Sequence, residues 1–565
     1  MSMTCCLANG EQEDPLRFTL IPLALALLAQ HTFAQQPTAG SQLQQIPVAP
    51  PLPKAAPVIR VQQGAAPAAT VSDTTRITVQ RLQITAPPVF TENELIAATG
   101  FVPGSELTLT DLRAMAARVA DYYQARGYFL TQAFLPAQNI QDGVVAIQVL
   151  PGQYGKVQLR NDSALSDALA QHILGGLDGQ AIATAPLERR LLLLSDLPGV
   201  QVGSTLAPGA SLGASDLIVD VQPGARFNGS IDADNQGNRY TGRNRIGATL
   251  NITELAGAGD VASLRAFTSA DGLDYGRAAY QGQLGLVRLG AAYTHMDYRL
   301  GEEFAVLDAR GTAKIASVYG SYPLLRSRIA NLYAQVNYDD KDFQDKTLST
   351  GSVNDKSAKV WMFNLNGDSK DNIGGGGINN YSITYTTGKI DIDTPAALLI
   401  DQLTVRSNGS FHKLAFTAAR LQNLGEATSA YAVVTGQAAS KNLDISEKMG
   451  LGGVGGVRAY PGGEAYGDQG YVINLELRRT LPVPSLPGQL QLVGFADTGR
   501  VKLNRDQWSQ GDNRRTLSGA GAGLTWTGAN ALLVKAYYAH KLGNAVATSA
   551  PDKAGRFWLQ AIKYF

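Results

Sequence analysis

From Phe227 to the C-terminal Phe565 the sequence carries no helical period and alternates instead. In ANLYAQVNY, Leu332, Ala334, Val336 and Tyr338 are interleaved with Asn331, Tyr333, Gln335 and Asn337. In YVINLELRR, Tyr471, Ile473, Leu475 and Leu477 are interleaved with Asn474, Glu476 and Arg478. A period of two puts one set on each face of a strand, so one face is apolar and the other wet. About sixteen such segments can be marked, which is the pattern of an outer-membrane barrel with a polar interior. A secreted sandwich or solenoid would explain the alternation, but not the length of the unbroken strands or the aromatic last strand RFWLQAIKYF. No run reaches the roughly 18 apolar residues of a membrane-spanning helix. The alternation predicts a transmembrane antiparallel β-barrel over residues 225–565.

The N-terminal region bounds the compartment. Arg17 precedes the apolar segment Phe18 to Ala29, and His31-Thr32-Phe33-Ala34 follows it. This is a secretory signal layout, with residues 1–34 removed and Glu11, Glu13 and Asp14 an unusually acidic start. The only cysteines, Cys5 and Cys6, precede that segment, so the exported chain would hold none. Net charge is +1, which gives no bulk electrostatic case for nucleic acid. Residues 35–75 are rich in Gln, Pro and Ala and read as a linker. Their prolines limit any helix to a short stretch around Thr38 to Ile46.

Between linker and barrel the periodicity becomes mixed. ITVQRLQI reads as a strand, Glu92 to Ala98 as a helix, and a second helix starts at Thr110 with Leu112, Met115, Ala116, Val119 and Tyr123 on one face. Gly127 stands where a C-cap is expected, and the strands YFLTQAFLP and GVVAIQVLP follow. The order β-α-α-β-β then repeats with GKVQLR, helices Ser163 to Leu174 and Pro186 to Leu194, GVQVGSTL and SDLIVDVQP. Two α+β modules, 76–152 and 153–224, are therefore expected, each with a sheet edge available.

Catalytic and cofactor motifs fail on context. GLGGVG, Gly450 to Gly455 with Gly456 after it, has the spacing of a dinucleotide loop, but it lacks a preceding apolar strand, and Pro461, Gly462 and Gly463 preclude a following helix. No G-x-x-x-x-G-K-[ST] occurs. The histidines His31, His172, His295, His412 and His540 are dispersed, with no H-E-x-x-H, and GGGG at Gly374 to Gly377 reads as a hairpin loop. No cofactor, metal or enzymatic activity is expected.

Three stretches together resemble the outer-membrane transporters of two-partner secretion, which export haemolysins, filamentous haemagglutinins and contact-dependent inhibition toxins. RGYFLTQAFLPAQNIQDGVVAIQVLPG, Arg126 to Gly152, resembles the family's POTRA segment. DNQGNRYTGRNRIGATLNITELAGAGD, Asp234 to Asp260, resembles its first barrel hairpin. VRAY (Val457, Arg458, Ala459, Tyr460) resembles the Val-Arg-Gly-Tyr of the loop that folds back into the pore, with Ala459 in place of glycine.

The resemblance implies a pore loop over 442–470, in which Gly450, Gly452, Gly453, Gly455 and Gly456 let backbone pass close to the wall. It implies that Phe495, Asp497 and Gly499 of GFADTG carry the partner motif Phe-x-Asp-x-Gly on the inner wall. Arg458, costly to bury alone, is then expected to pair with Asp497. Phe565 would end the barrel-insertion signal, from which Lys563 departs.

Cargo recognition would fall to the POTRA modules by strand addition. The regions expected are Glu94 to Phe101 and the second strand of each module, with Tyr128, Pro136 and Gln138 of the POTRA motif. The implied partners are a large secreted exoprotein, outer-membrane lipids and, during biogenesis, the barrel assembly machinery. Transport would need no ATP. A barrel-assembly insertase of the BamA/TamA type is the alternative, with two modules and the Asp234 to Asp260 hairpin favouring secretion; a passive porin would not need the modules.

Overall fold

The computed structural model describes residues 36–47, 58–61, 75–211 and 213–565; the expected signal segment lies outside them. The linker contributes two short elements, helix α1 (Ala39–Leu43) and strand β1 (Val58–Val61). Thr38 caps α1, with its hydroxyl accepting from Ser41 N and the Ser41 hydroxyl answering the Thr38 amide.

The first module contains β2 (Arg76–Val79), β3 (Arg81–Thr85), α2 (Glu92–Thr99), β4 (Ser105–Thr108), α3 (Leu109–Gln124), β5 (Gln132–Phe134) and β6 (Val144–Leu150). It departs from the order read in the sequence in two ways. ITVQRLQI is broken at Gln80, because the amides of Gln80 and Arg81 both donate to Gly143 O. The segment SELT, too short and polar to show a strand pattern, forms β4 and pairs with β2. The sheets are β2-β4 and β3-β6-β5.

The spacing on α3 is realised, with Leu112, Met115, Ala116, Val119 and Tyr123 all buried against Leu82, Leu95 and Ile147. Gly127 is not the C-cap; Ala125 is, in right-handed conformation. Gly127 takes φ +95° two residues later, and its carbonyl accepts from the Thr184 amide and hydroxyl of the next module. YFLTQAFLP shrinks to β5, because Tyr128 N turns back to Tyr123 O and Thr131 N to Tyr128 O.

The second module keeps the order read from the sequence, with β7 (Gln153–Asn161), α4 (Asp167–Leu174), α5 (Thr184–Ser195), β8 (Val200–Pro208) and β9 (Ala214–Pro223). Helix α4 starts at Asp167 rather than Ser163, since Asn161 Oδ1 accepts from the Ser163 amide and hydroxyl and holds a turn there. Its core gathers Ile173, Leu187, Leu191, Leu194, Leu217, Val219 and Val221. The sheet is β1-β8-β9-β7, so the linker strand extends it, a pairing nothing in the sequence pattern announced.

After Pro223 sixteen strands close into a barrel. All neighbours are antiparallel, from the eight-residue Phe227–Asp234 to the twenty-residue Ser352–Asp371. The first strand closes on the last, Gly555–Tyr564, through Ser230 to Asp234. Phe565 extends the seam, exchanging both backbone hydrogen bonds with Gly229. The alternation sorts as expected, with Val336, Trp361, Phe363, Leu365, Tyr471, Leu475 and Leu477 exposed on the outer face. Chain direction puts both modules and the C-terminus at one end and the 440–468 connection at the other.

Candidate functional site

The connection between strands Thr428–Ala439 and Gln469–Leu481 turns into the barrel instead of away from it. Its descending limb is fixed by ion pairs to the wall: Asp444 to Lys356 at 2.8 Å, and Glu447 to Lys341 and Lys413 at 2.9 Å each. Met449–Gly450 and Tyr466–Gly467 then pair as a small ladder. On the returning limb the Glu464 carboxylate is fully buried, accepting from the amides and hydroxyls of Thr548 and Ser549 and from Arg515.

The tip is Val457-Arg458-Ala459-Tyr460, every residue buried. The structure brings Arg458 onto Asp497. Nη2 lies 2.7 Å from Oδ1 and Nε 2.8 Å from Oδ2, and the Arg458 amide also donates to Oδ2. Asn474 Nδ2 supplies another donor to Oδ1 at 2.8 Å. Three further contacts were absent from the sequence reading: Glu476 Oε1 at 2.6 Å from Arg458 Nη1, the Phe495 ring 3.6 Å below the guanidinium, and Trp558 Nε1 donating to Arg458 O. Glu476 was legible in part, because it lies on the wet face of YVINLELRR. Tyr460 OH reaches Ala545 O. A bidentate guanidinium–carboxylate pair flanked by an aromatic face is stronger and more directional than a lysine contact.

Close approach explains some glycines and not others. A Cβ at Gly456 would lie 2.2 Å from Leu451 O, one at Gly452 2.4 Å from Pro461 O, and one at Gly499 2.6 Å from a Leu451 methyl. Gly453 takes φ +93°, whereas Gly450 and Gly455 have room for a side chain. Ala459 does not have positive φ. Its methyl fits because Gly519 stands opposite on the wall, where a Cβ would come within 2.5 Å of it.

Helix α1 lies in the lumen against this loop. Gly40 packs on Ser446, Gln44 Nε2 donates to Ile445 O, and Tyr466 OH bonds Ser41 O and the Gln45 amide. Wall contacts complete the seat: Ala39 N to Asp345, Thr241 to Gln42, and Arg245 to Gln45 O.

In the first module the expected recognition residues serve local structure. Glu94 closes the α2 capping box, and the hydroxyl and amide of Thr91 hold its carboxyl below the usual range. Gln138 bonds both N and O of Ala146, filling the edge of β6 beyond β5. Tyr128 and Phe101 pack against the module core, and Pro136 lies between β5 and Gln138.

The second module is tied to the barrel rim by Asp196, bidentate to Arg326 at 2.6 and 2.8 Å, and by Ser166 N to Gly257 O. Beside this joint, Glu254 sits in the turn 254–260 with both carboxyl oxygens buried and, among the described residues, unpartnered. Burial, reinforced by the neighbouring Asp260, pushes its carboxyl up to about 7.

A closed sixteen-stranded barrel, two α/β modules at its mouth, and a loop and helix packed in its lumen define an outer-membrane transporter with periplasmic POTRA modules. The chain matches the family described as haemolysin secretion/activation protein ShlB/FhaC/HecB over residues 213–526, and the ShlB-type POTRA domain over 77–152. It is 30% identical to the heme/hemopexin transporter protein HuxB of Haemophilus influenzae over 472 residues, 82% of each chain. Among solved structures it is similar to CdiB from Escherichia coli (TM-score 0.70, 17% identity, 99% of this chain and 100% of that one). BamA from Haemophilus ducreyi lacking POTRA domains 1–3 shares the fold at TM-score 0.51 and 14% identity, over 87% of this chain and 100% of that one. The chain belongs to the ShlB/FhaC/HecB family of two-partner secretion transporters, whose barrel lies in the outer membrane and whose partner is an exported protein.

Proposed function

We propose that this transporter carries one large exoprotein of the haemolysin, adhesin or contact-dependent toxin class from periplasm to cell surface. The relative's name makes a heme-acquiring exoprotein a member of that class to look for. In this reading residues 1–34 are the signal, 35–75 the plug and its linker, 76–152 and 153–224 the two POTRA modules, and 225–565 the barrel. The observation that carries it is the seating of the loop tip: Arg458 is held by Asp497 and Glu476 against the wall. A loop anchored that way stays put while α1 leaves, so an extended chain finds a polar conduit of fixed shape. The buried arginine is compensated by two carboxylates and an aromatic face, which makes the seated tip the low-energy arrangement.

The reading assigns no catalytic group and no cofactor, and folding of the cargo outside supplies direction. The first module receives cargo at the outer edge of β5, to which a further strand can add, whereas the edge of β3 is partly filled by Glu92, which accepts from the Ile84 amide. The test is the extracellular proteome with and without the gene, with other outer-membrane barrels quantified in the same cells. Loss of one very large secreted protein is expected; unchanged secretion with a general loss of barrels would make the chain an assembly insertase.

A further inference from the structure

The outer wall of the barrel carries its cations in two different ways. On one flank they meet carboxylates: Lys389 pairs with Asp391 at 2.6 Å, and Arg299 and Arg310 both reach Asp308, at 3.1 and 2.9 Å. On strands Gln489–Lys502 and Arg514–Gly528 they do not. The only carboxylates on these two strands and on the neighbouring Gln469–Leu481 are Asp497 and Glu476, and both turn inward to Arg458. Alternation then puts Arg500, Lys502 and Arg514 on the outer face, whereas Arg515 points inward to Glu464.

Lys502 lies directly opposite Arg514, and Arg500, two residues lower on the same strand, lies opposite Tyr471. Like charges that face each other across a ladder repel. Among the described residues none of the three forms an ion pair, and Lys502 reaches only the Arg505 carbonyl, 2.6 Å away. Of the connecting loop 503–513, Asp506 turns to Arg505 and Asp512 meets none of them. Arg500 and Arg514 are exposed.

Height on the wall identifies what can neutralise them. All three cations stand at the end of the barrel away from the modules. Below them the outer face is apolar, with Tyr471, Leu475, Leu477, Leu492 and Leu524 exposed. Tyr471 tops that face, as an aromatic at the edge of the hydrocarbon does, so the cations begin where lipid headgroups begin.

We propose that Arg500, Lys502 and Arg514 form a binding site for the phosphorylated sugar headgroup of an outer-leaflet glycolipid, whose acyl chains lie on the apolar face below Tyr471. The two guanidinium groups present planar forks that take phosphate oxygens in pairs, and Lys502 adds a compact charge with donors to spare. A bound headgroup screens the repulsion between Lys502 and Arg514 and so ties their strands together. Those strands carry Asp497 and Gly519 on their inner faces, which places the site back to back with the seat of the pore loop. The site does not depend on which protein is exported. Free phosphate shares the charge but not the acyl chains, and the test separates the two.

The full chain in detergent is titrated with diphosphoryl lipid A, with the same lipid stripped of both phosphates, and with inorganic phosphate. Native mass spectrometry reads bound lipid, and the thermal midpoint is followed in parallel. One variant combines Arg500→Gln, Lys502→Gln and Arg514→Gln; a second keeps the charge with Arg500→Lys and Arg514→Lys; a control combines Lys359→Gln and Lys389→Gln on the other flank. Heat-modifiable migration confirms that each barrel is folded.

Near an anionic lipid surface one cation is worth about fivefold in affinity, so the neutralised variant should bind diphosphoryl lipid A about a hundredfold more weakly. The charge-keeping variant and the control should stay within about fivefold of the unaltered chain. The lipid should raise the midpoint of the unaltered chain and leave that of the neutralised variant in place. Equal binding to the unaltered and neutralised chains, an equal loss in the control, or undiminished binding of the stripped lipid would overturn the proposal. Inorganic phosphate that raises the midpoint as far as the glycolipid at the same concentration would overturn the lipid and leave free phosphate as the ligand.

Discussion

Replacing Gly519 by alanine tests whether the pore loop is seated by its tip. Gly519 lies opposite Asp497 in the ladder, so the strand that holds Arg458 and the strand that makes room for Ala459 are neighbours. A Cβ at position 519 would lie 2.5 Å from the Ala459 methyl and 3.1 Å from His540 O. Carbon atoms rest at roughly 3.5–4.0 Å, so the two methyls overlap by about 1 Å or more. Strand Arg514–Gly528 is laddered on both sides and cannot retreat, so the loop tip must yield. Overpacking of this kind costs about 1–3 kcal/mol. Taken from loop seating, that raises the unseated population by about 5- to 150-fold.

The readout is protease cleavage of loop 440–468 from outside intact cells, with heat-modifiable migration confirming a folded barrel. Ala459→Gly alone removes one methyl and should cost under about 1 kcal/mol. Added to Gly519→Ala it should restore protection to the level of Ala459→Gly alone. A double variant as exposed as Gly519→Ala would refute the methyl contact and leave the His540 carbonyl or the strand itself as the cause.

Asp497→Asn leaves Arg458 with Glu476 as its only carboxylate among the described residues and should cost about 3 kcal/mol of loop seating, seen as more frequent channel openings; unchanged openings would show that Glu476 suffices. A simple exchange of the two charges is a poor test, because Arg458→Asp places a second carboxylate beside Glu476, so the exchange belongs in a Glu476→Gln background. Glu254 titrates near 7 in the folded chain against 4.5 unfolded, so its favourable contribution is complete below about pH 4.5 and lost as pH rises through 7. Glu254→Gln should therefore raise thermal stability at pH 8 by about 1–2 kcal/mol, the full shift being discounted for partial exposure, and change nothing at pH 4; an equal gain at both pH values would contradict the assignment. Asp196→Ala removes the bidentate hold on Arg326 and should loosen the second module by about 1 kcal/mol, broadening spin-label distances between module and barrel; an unbroadened distribution would place the hold elsewhere.

The barrel was legible because lipid on one side and water on the other force the two faces of every strand apart, and a period of two records that directly. Tyr471, Leu475 and Leu477 are outside and Asn474 and Glu476 inside for that reason alone. The helix faces of the modules were legible by the same logic at a different period, as the burial of Leu112, Met115, Val119 and Tyr123 shows. What escaped was structure made by backbone pairing without a side-chain signature. Ser105–Thr108 and Val58–Val61 are four residues each, and the first is polar and the second partly exposed, so neither alternates long enough to be read.

The pore loop falls between these cases. Composition alone could not tell its glycines apart, and only the Leu451 and Pro461 carbonyls separate Gly456 and Gly452, which cannot carry a side chain, from Gly450 and Gly455, which can. Gly519 makes the same point from the other direction. It sits in an ordinary strand, SGAGAGLTW, and nothing in that strand marks it until Ala459 is seen against it. An alanine at the loop tip and a glycine on the wall are one steric solution divided between two distant segments. The room needed at the tip is a property of the pair, so a substitution at 459 has to be judged together with the residue at 519.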